Sequence, residues 1–233
     1  MQLVELAYGC RLFGEFTRND TSTNELGQAT RNVIDLHDPV HTKALLRLLN
    51  RWGCRQFAVE YHGEAGKMLG LWGDRWLTKL PGARANLGKL DDKKLAAVAD
   101  AYADLKDQQA SARRLTDGRM SIVTVGGTGA AKALHLLRPR VLPPWDDPIR
   151  AALGHDASRD GYLAYLEGVR DHVRNLEAEA ANFGIDAADI PRTLGRPASS
   201  LPKMIDEYYW ITLTRGHVVP DAAELARWYK WSR

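Results

Sequence analysis

The stretch Ile122 to Arg150, IVTVGGTGAAKALHLLRPRVLPPWDDPIR, governs how the rest of the chain is read. A β-branched run precedes a glycine turn. An apolar helix follows, then a proline-rich loop and two aspartates ahead of another proline. A P-loop would need Gly-Lys followed by a hydroxyl residue, because the lysine reaches the phosphates and the hydroxyl ligates magnesium. Ala131-Lys132-Ala133 has no hydroxyl, and the P-loop is excluded. A dinucleotide fingerprint is matched at Gly127-Thr128-Gly129, but Lys132 stands where the third glycine belongs. Asp146-Asp147 lies near the expected acidic position, yet it follows Pro143-Pro144 rather than a second strand, and no βαβ series surrounds it. The third reading is a helix–hairpin–helix. Its glycine turn adopts positive φ and directs free backbone N–H groups at a phosphate. That reading places one helix over residues 113–124 and another over residues 130–137. Met120–Val125 is the one strand-like run in the chain, and here it becomes the end of the first helix.

On either side of this segment the pattern is helical. Asp38 can cap and Pro39 suits a first helical position, with Leu45, Leu46, Leu49 and Trp52 at helical spacing and Gly53 as a stop. Residues 91–110 carry Leu95, Val98, Tyr102 and Leu105 on one stripe, and residues 161–181 carry Leu163, Leu166, Val169, Val173 and Leu176. Ser200 and Pro202 open a helix running to about Arg215, with Gly216 as its stop. Asp221 and Glu224 form a capping box for a last helix bearing Leu225 and Trp228. Residues 1–36 give no clear pattern, Asn19 to Gln28 reads as a loop, and the glycine-rich residues 62–90 read as irregular turns. About seven helices and almost no sheet predict an all-α fold.

The 233 residues are 45% hydrophobic and 26% charged, which excludes a mostly disordered chain. The length predicts a single globular unit, divisible into lobes of 1–90 plus 190–233 and 91–189. No apolar run reaches the roughly 20 residues a bilayer crossing requires. Glu5 precedes any basic residue, so the amino terminus does not read as a signal peptide, and a cytoplasmic location is expected, nucleoid-associated if the source is bacterial. Two cysteines, Cys10 and Cys54, are too few for a disulfide framework or an iron–sulfur site. Residues 41–94 hold eleven Lys/Arg against five Asp/Glu, and residues 156–189 hold three against eight. This asymmetry fits either a polyanion-facing side or an unevenly charged surface.

Taken together, these features make the segment resemble the helix–hairpin–helix DNA glycosylase superfamily. The residues that carry the resemblance are Val125, Gly127-Thr128-Gly129, Ala133, Pro139, Pro143-Pro144 and Trp145-Asp146, with Ile149 and Arg150 following. The resemblance implies a helix–hairpin–helix glycosylase-like fold. It also implies double-stranded DNA as partner, extrusion of a damaged or modified base, and hydrolysis of its N-glycosidic bond. Bifunctional members of the family place a lysine two residues after the second glycine. Here that position is Ala131, and Lys132 lies one further, a rotation of about 100° on a helix. A monofunctional, hydrolytic action is therefore expected ahead of lyase chemistry.

The chemistry assigns roles by residue. Positive charge develops on the sugar as the base leaves, and a carboxylate can stabilise it or activate water. Asp146 is the candidate, with Asp147, before Pro148, as a plain helix cap; the two could exchange roles. Lys132 is a candidate nucleophile or phosphate contact. Gly127, Thr128, Gly129, Arg138, Arg140 and Arg150 are expected to contact DNA backbone. Trp145 is the best-placed aromatic for a base pocket, with Trp72, Trp76 and Trp210 as unranked alternatives. His37 and His41 are four apart, with His62 following, but Asp38-Pro39 interrupts a helix between the pair and no third ligand is obvious, so neither metal nor cofactor is expected. His135 reads as a satisfied packing residue. The rival from another class is a non-catalytic DNA-binding module, and a nicotinamide enzyme ranks third.

Overall fold

The structure, a computed structural model, describes residues 1–17 and 22–231, with side chains through residue 227. It is 64% helix and 5% strand, as the all-α reading requires. The first three helices are α1 (Leu3–Phe16), α2 (Ser22–Thr30) and α3 (Pro39–Arg51). Next come α4 (His62–Trp76) and α5 (Asp92–Asp107), then the strands β1 (Gln109–Arg114) and β2 (Met120–Thr124). The second half holds α6 (Gly126–Leu137), α7 (Asp147–Ala152), α8 (Arg159–Asn182), α9 (Ile190–Thr193), α10 (Leu201–Tyr209) and α11 (Ala222–Trp231). No described helix is long and apolar enough to cross a membrane.

Several boundaries follow the sequence signals. Asp38 caps α3, accepting from Val40 N, with Pro39 at the first position. Asp91 caps α5 through Lys94 N, and Ser200 caps α10 through Lys203 N. Beyond α10 the backbone widens into a π-helical turn over Trp210–Thr214, and Gly216 ends it at φ +66°. Asp221 accepts from Glu224 N ahead of α11; the side chain of Trp228 lies outside the described residues.

Three expectations are overturned. The loop over Asn19 to Gln28 falls partly outside the described residues, and from Ser22 onward it is α2, which buries Leu26 and packs on α3. Residues 62–76 are a regular helix rather than irregular turns. Its glycines recur at helical spacing and admit close neighbours. A Cβ on Gly66 would meet Thr42 Oγ1 at 3.0 Å, and one on Gly70 would meet the Leu36 carbonyl at 3.2 Å. Glycine here is a packing device rather than a breaker.

The third correction matters most. Residues 113–124 do not form the first helix of a helix–hairpin–helix. β1 and β2 pair antiparallel, Ala112 opposite Ile122 and Arg114 opposite Met120. Asp117-Gly118 turns the chain, with Gly118 at φ +85° and Leu115 N donating to the Arg119 carbonyl at 2.8 Å. An Asp-Gly turn beside β-branched Ile122, Val123 and Thr124 is a hairpin signal. The glycine turn thus follows a strand. The two-stranded sheet has no parallel neighbour among the described residues, so it does not restore a dinucleotide fold either.

One hydrophobic cluster runs from Leu3 to Tyr209. In it α5 packs on both α6 and α8, and α1 packs on α10. Gly127, Thr128 and Gly129 do not form a positive-φ turn ahead of a helix over residues 130–137: they lie in the opening of α6, only Gly126 takes positive φ, and this stretch is built into the core. Gly126 takes φ +71°, and a Cβ on Gly127 would sit 2.7 Å from Tyr102 Oη and 3.1 Å from Ala157 Cβ. Tyr102 is fully buried and stacked on Tyr162 at 4.1 Å, so it has little room to retreat. Gly127→Ala is expected to cost about 1–3 kcal/mol through overpacking. Thermal unfolding would report it as a loss of several degrees, and an unchanged midpoint would contradict this role for the glycine.

Candidate active site

The turn from α6 to α7 sets the floor of a cavity of about 630 Å³. Two hydrogen bonds position that turn. Tyr165 Oη of α8 donates to the Pro144 carbonyl at 2.7 Å, and Ser200 Oγ donates to the Pro139 carbonyl at 2.9 Å. The second brings the start of α10 against the proline loop. Lys132, His135, Arg140, Trp145 and Asp146 from this segment therefore share the cavity with Arg196, Lys203, Asp206 and Glu207.

Asp146, not Asp147, is the helix cap: its Oδ1 accepts from Ile149 N at 3.1 Å, and the half-buried carboxylate still borders the cavity. Asp147 is exposed. It accepts from Thr128 Oγ1 at 2.7 Å and pairs with Arg150 at 2.7 Å. The Thr128 hydroxyl, with Arg150 and Lys132 adding to it, holds the Asp147 carboxyl below the usual range. The two aspartates are thus sorted by geometry: one turns to the cavity, the other locks the glycine turn to α7.

Lys132 reaches the cavity from α6, with Nζ donating to the Trp52 carbonyl at 2.7 Å, while Ala131 is buried in the core. His135 is buried, and its Nδ1 lies 2.8 Å from the Leu142 carbonyl. A carbonyl only accepts, so Nδ1 carries the proton and Nε2 keeps a lone pair. Burial, reinforced by the Lys203 charge, lowers the His135 pKa from 6.5 to about 3. It is neutral at any physiological pH.

Charges on and before α10 complete the site. Lys203 Nζ lies 2.6 Å from Asp206 Oδ2 and 4.8 Å from the Phe13 ring centroid. Arg196 donates to Glu207 Oε1 at 2.7 Å. Burial pushes Asp206 up to about 6, against the pull of Lys203, with the charges of Glu207 and Asp146 adding to the rise. Burial also disfavours the Lys203 ammonium, but the two carboxylates outweigh it and raise its pKa.

These residues escaped the sequence reading. Lys203, Asp206 and Glu207 stand at i, i+3 and i+4, the spacing of an ordinary solvated helix pair. Only their burial, 7% exposure for Asp206 and 1% for Glu207, sets them apart.

Other predicted residues are placed differently. Trp145 borders the cavity but is fully buried, its ring packed against Tyr165 at 4.9 Å and Tyr162 at 5.3 Å. It lies at the cavity expected for it, as a buried part of the wall. Trp52, Trp210 and Phe13 are the half-buried aromatics that line it. Trp72 donates to the Ala101 carbonyl in the core, and Trp76 donates to Asp104. Arg138 spends Nε, Nη1 and Nη2 on the carbonyls of Pro81, Leu137 and Leu77, and it does not line the cavity. Arg150 is 17% exposed and sits beneath the glycine turn. Of the predicted arginines, Arg140 is the one both exposed and at the cavity. His37 pairs with Asp74, and His41 Nδ1 accepts from Asp35 N. Among the described residues no three His, Cys, Asp or Glu side chains gather as metal ligands.

Comparison with protein-family models, with curated proteins and with solved structures finds no match for this chain.

Proposed function

We propose that this protein is a DNA glycosylase-like enzyme that takes an extruded base into the cavity and hydrolyses its N-glycosidic bond. One observation carries the reading. Asp146, chosen from the motif, and Lys132 and Arg140, candidates from the same segment, border a single cavity of about 630 Å³ that also holds the Lys203–Asp206–Glu207–Arg196 charges. Buried charges are costly, and a module that only bound DNA along its surface would not need them here. The size suits one nucleoside with room for water.

In this reading the C1′–N bond breaks with its electron pair passing to the base. Asp146 faces the positive charge left on the sugar, and water adds to C1′ as its proton passes to Asp146 and from there to the departing base. Lys203 offers N–H groups to the negative charge gathering on the leaving base, and His135 Nε2 accepts from its edge. Trp52 and Trp210 supply aromatic surface for stacking. Lys132 and Arg140 hold the flanking phosphates.

The test is a panel of end-labelled duplexes carrying uracil, hypoxanthine, oxidised guanine, alkylated purines or hypermodified pyrimidines. Alkali-revealed breaks at the modified position are expected on at least one. DNA binding with no break on any duplex would favour the non-catalytic binding module.

A further inference from the structure

The hairpin that replaces the expected helix has an outward face with no partner among the described residues. Ser111 turns inward, donating to the Gln56 carbonyl at 2.6 Å, and Val123 lies opposite it. On the alternate positions Ile122 and Thr124 are exposed and clear of the adjoining groove, while Arg114 and Met120 are exposed at its border. Met120 is 54% exposed and Ile122 66%, two large apolar side chains side by side in water. Arg113 and Arg114 are exposed and, like Arg55 across the adjoining groove, have no ion-pair partner among the described residues. That groove measures about 750 Å³, and among the described residues Glu60 is the one carboxylate on its lining. Arg119, nearer the hairpin tip, is paired with Asp117.

The hairpin and the cavity are neighbours. Trp52 lines the cavity and the next residue, Gly53, lines the groove under the hairpin.

We propose that the β1–β2 ribbon is a second contact with duplex DNA, seated in a groove beside the nucleotide that enters the cavity. This rests on the function proposed above. A two-stranded ribbon fits the roughly 12 Å width of a major groove. Arg55, Arg113 and Arg114 meet phosphates along its sides, and Ile122 and Met120 meet the base edges. Unpaired guanidinium groups flanking an apolar strip suit a polyanion with apolar edges inside its groove.

Fluorescence anisotropy with a labelled duplex, titrated at several salt concentrations, tests this. The double variant Arg113→Gln/Arg114→Gln is expected to bind at least about tenfold more weakly. Its slope of log K against log salt falls by about 0.9 for each phosphate that is no longer neutralised. Ile122→Asp, at an exposed position, weakens binding with its thermal midpoint unchanged. Lys93→Gln/Lys94→Gln removes the same charge from the far end of α5, about 20 Å of helix from the hairpin, and changes binding little. Base release by saturating protein persists in the double variant.

If wild type binds and the hairpin variants bind equally well, the ribbon does not touch DNA and the cavity reading stands. An equal loss in the α5 control would reduce the effect to general charge and overturn the proposal. Absence of duplex binding by wild type would remove both readings together.

Discussion

Asp146→Asn is expected to slow base release by two to three orders of magnitude, about 100- to 1,000-fold, while leaving folding and DNA binding intact. Asparagine caps a helix about as well as aspartate, so the bond to Ile149 N survives the change. Only the negative charge at the cavity is lost. Removing a preorganised electrostatic group of this kind costs about 100- to 1,000-fold in rate. The experiment is single-turnover base release on whichever duplex wild type cleaves, beside an anisotropy titration and a thermal melt. Asp147→Asn is the companion: its carboxylate faces Thr128 and Arg150 rather than the cavity, so it is expected to lower stability modestly and to retain activity. Full activity in the Asp146 variant would remove the carboxylate from the chemistry. Activity lost only in the Asp147 variant would reverse the assignment.

The second large effect is acid sensitivity at His135. The unfolded chain takes up a proton on this residue near pH 6.5, and the folded protein only near pH 3, because burial excludes the charged ring. Between those values unfolding binds a proton. Stability from this site is complete above pH 6.5 and is lost as the pH falls, by up to about 1.4 kcal/mol per pH unit. Asp206 acts in the opposite sense. Its folded pKa of about 6 stands above its ordinary 3.8, so its contribution improves as pH falls from 6 toward 4. The His135 effect is therefore read as a difference. In His135→Gln the side-chain amide can still donate to the Leu142 carbonyl, but it does not titrate. Thermal midpoints of wild type and variant should converge as pH falls from 7 to 4. Parallel curves would show that His135 does not control acid stability.

Much of the helical frame was legible because its signals are local. Asp38-Pro39, Asp91 and Ser200-x-Pro202 act within one turn through backbone N–H groups, and each starts its helix where the sequence places it. Leu95, Val98, Tyr102 and Leu105 form one stripe, and all four are buried. The α4 glycines misled because their value lies in what approaches them, namely Thr42 and the Leu36 carbonyl, which no local pattern contains. The hairpin was missed although Asp117-Gly118 announced it. The helix–hairpin–helix reading imposed a helix on a β-branched run whose own preference is extended.

The site divides in the same way. A helical protein and an aspartate at the helix start after a proline loop could both be read from residue order. These depend on backbone conformation and neighbours a few residues away. Three-dimensional packing was needed to learn which aspartate faces the cavity, that Trp145 lies buried in its wall, and that Arg138 ties down carbonyls of Leu77 and Pro81. Packing also brought Lys203, Asp206 and Glu207 to Asp146, across some sixty residues of chain. Burial accounts for the division. Whether a charged side chain is solvated or enclosed depends on what packs around it, and the elements that enclose this cavity come from both ends of the chain.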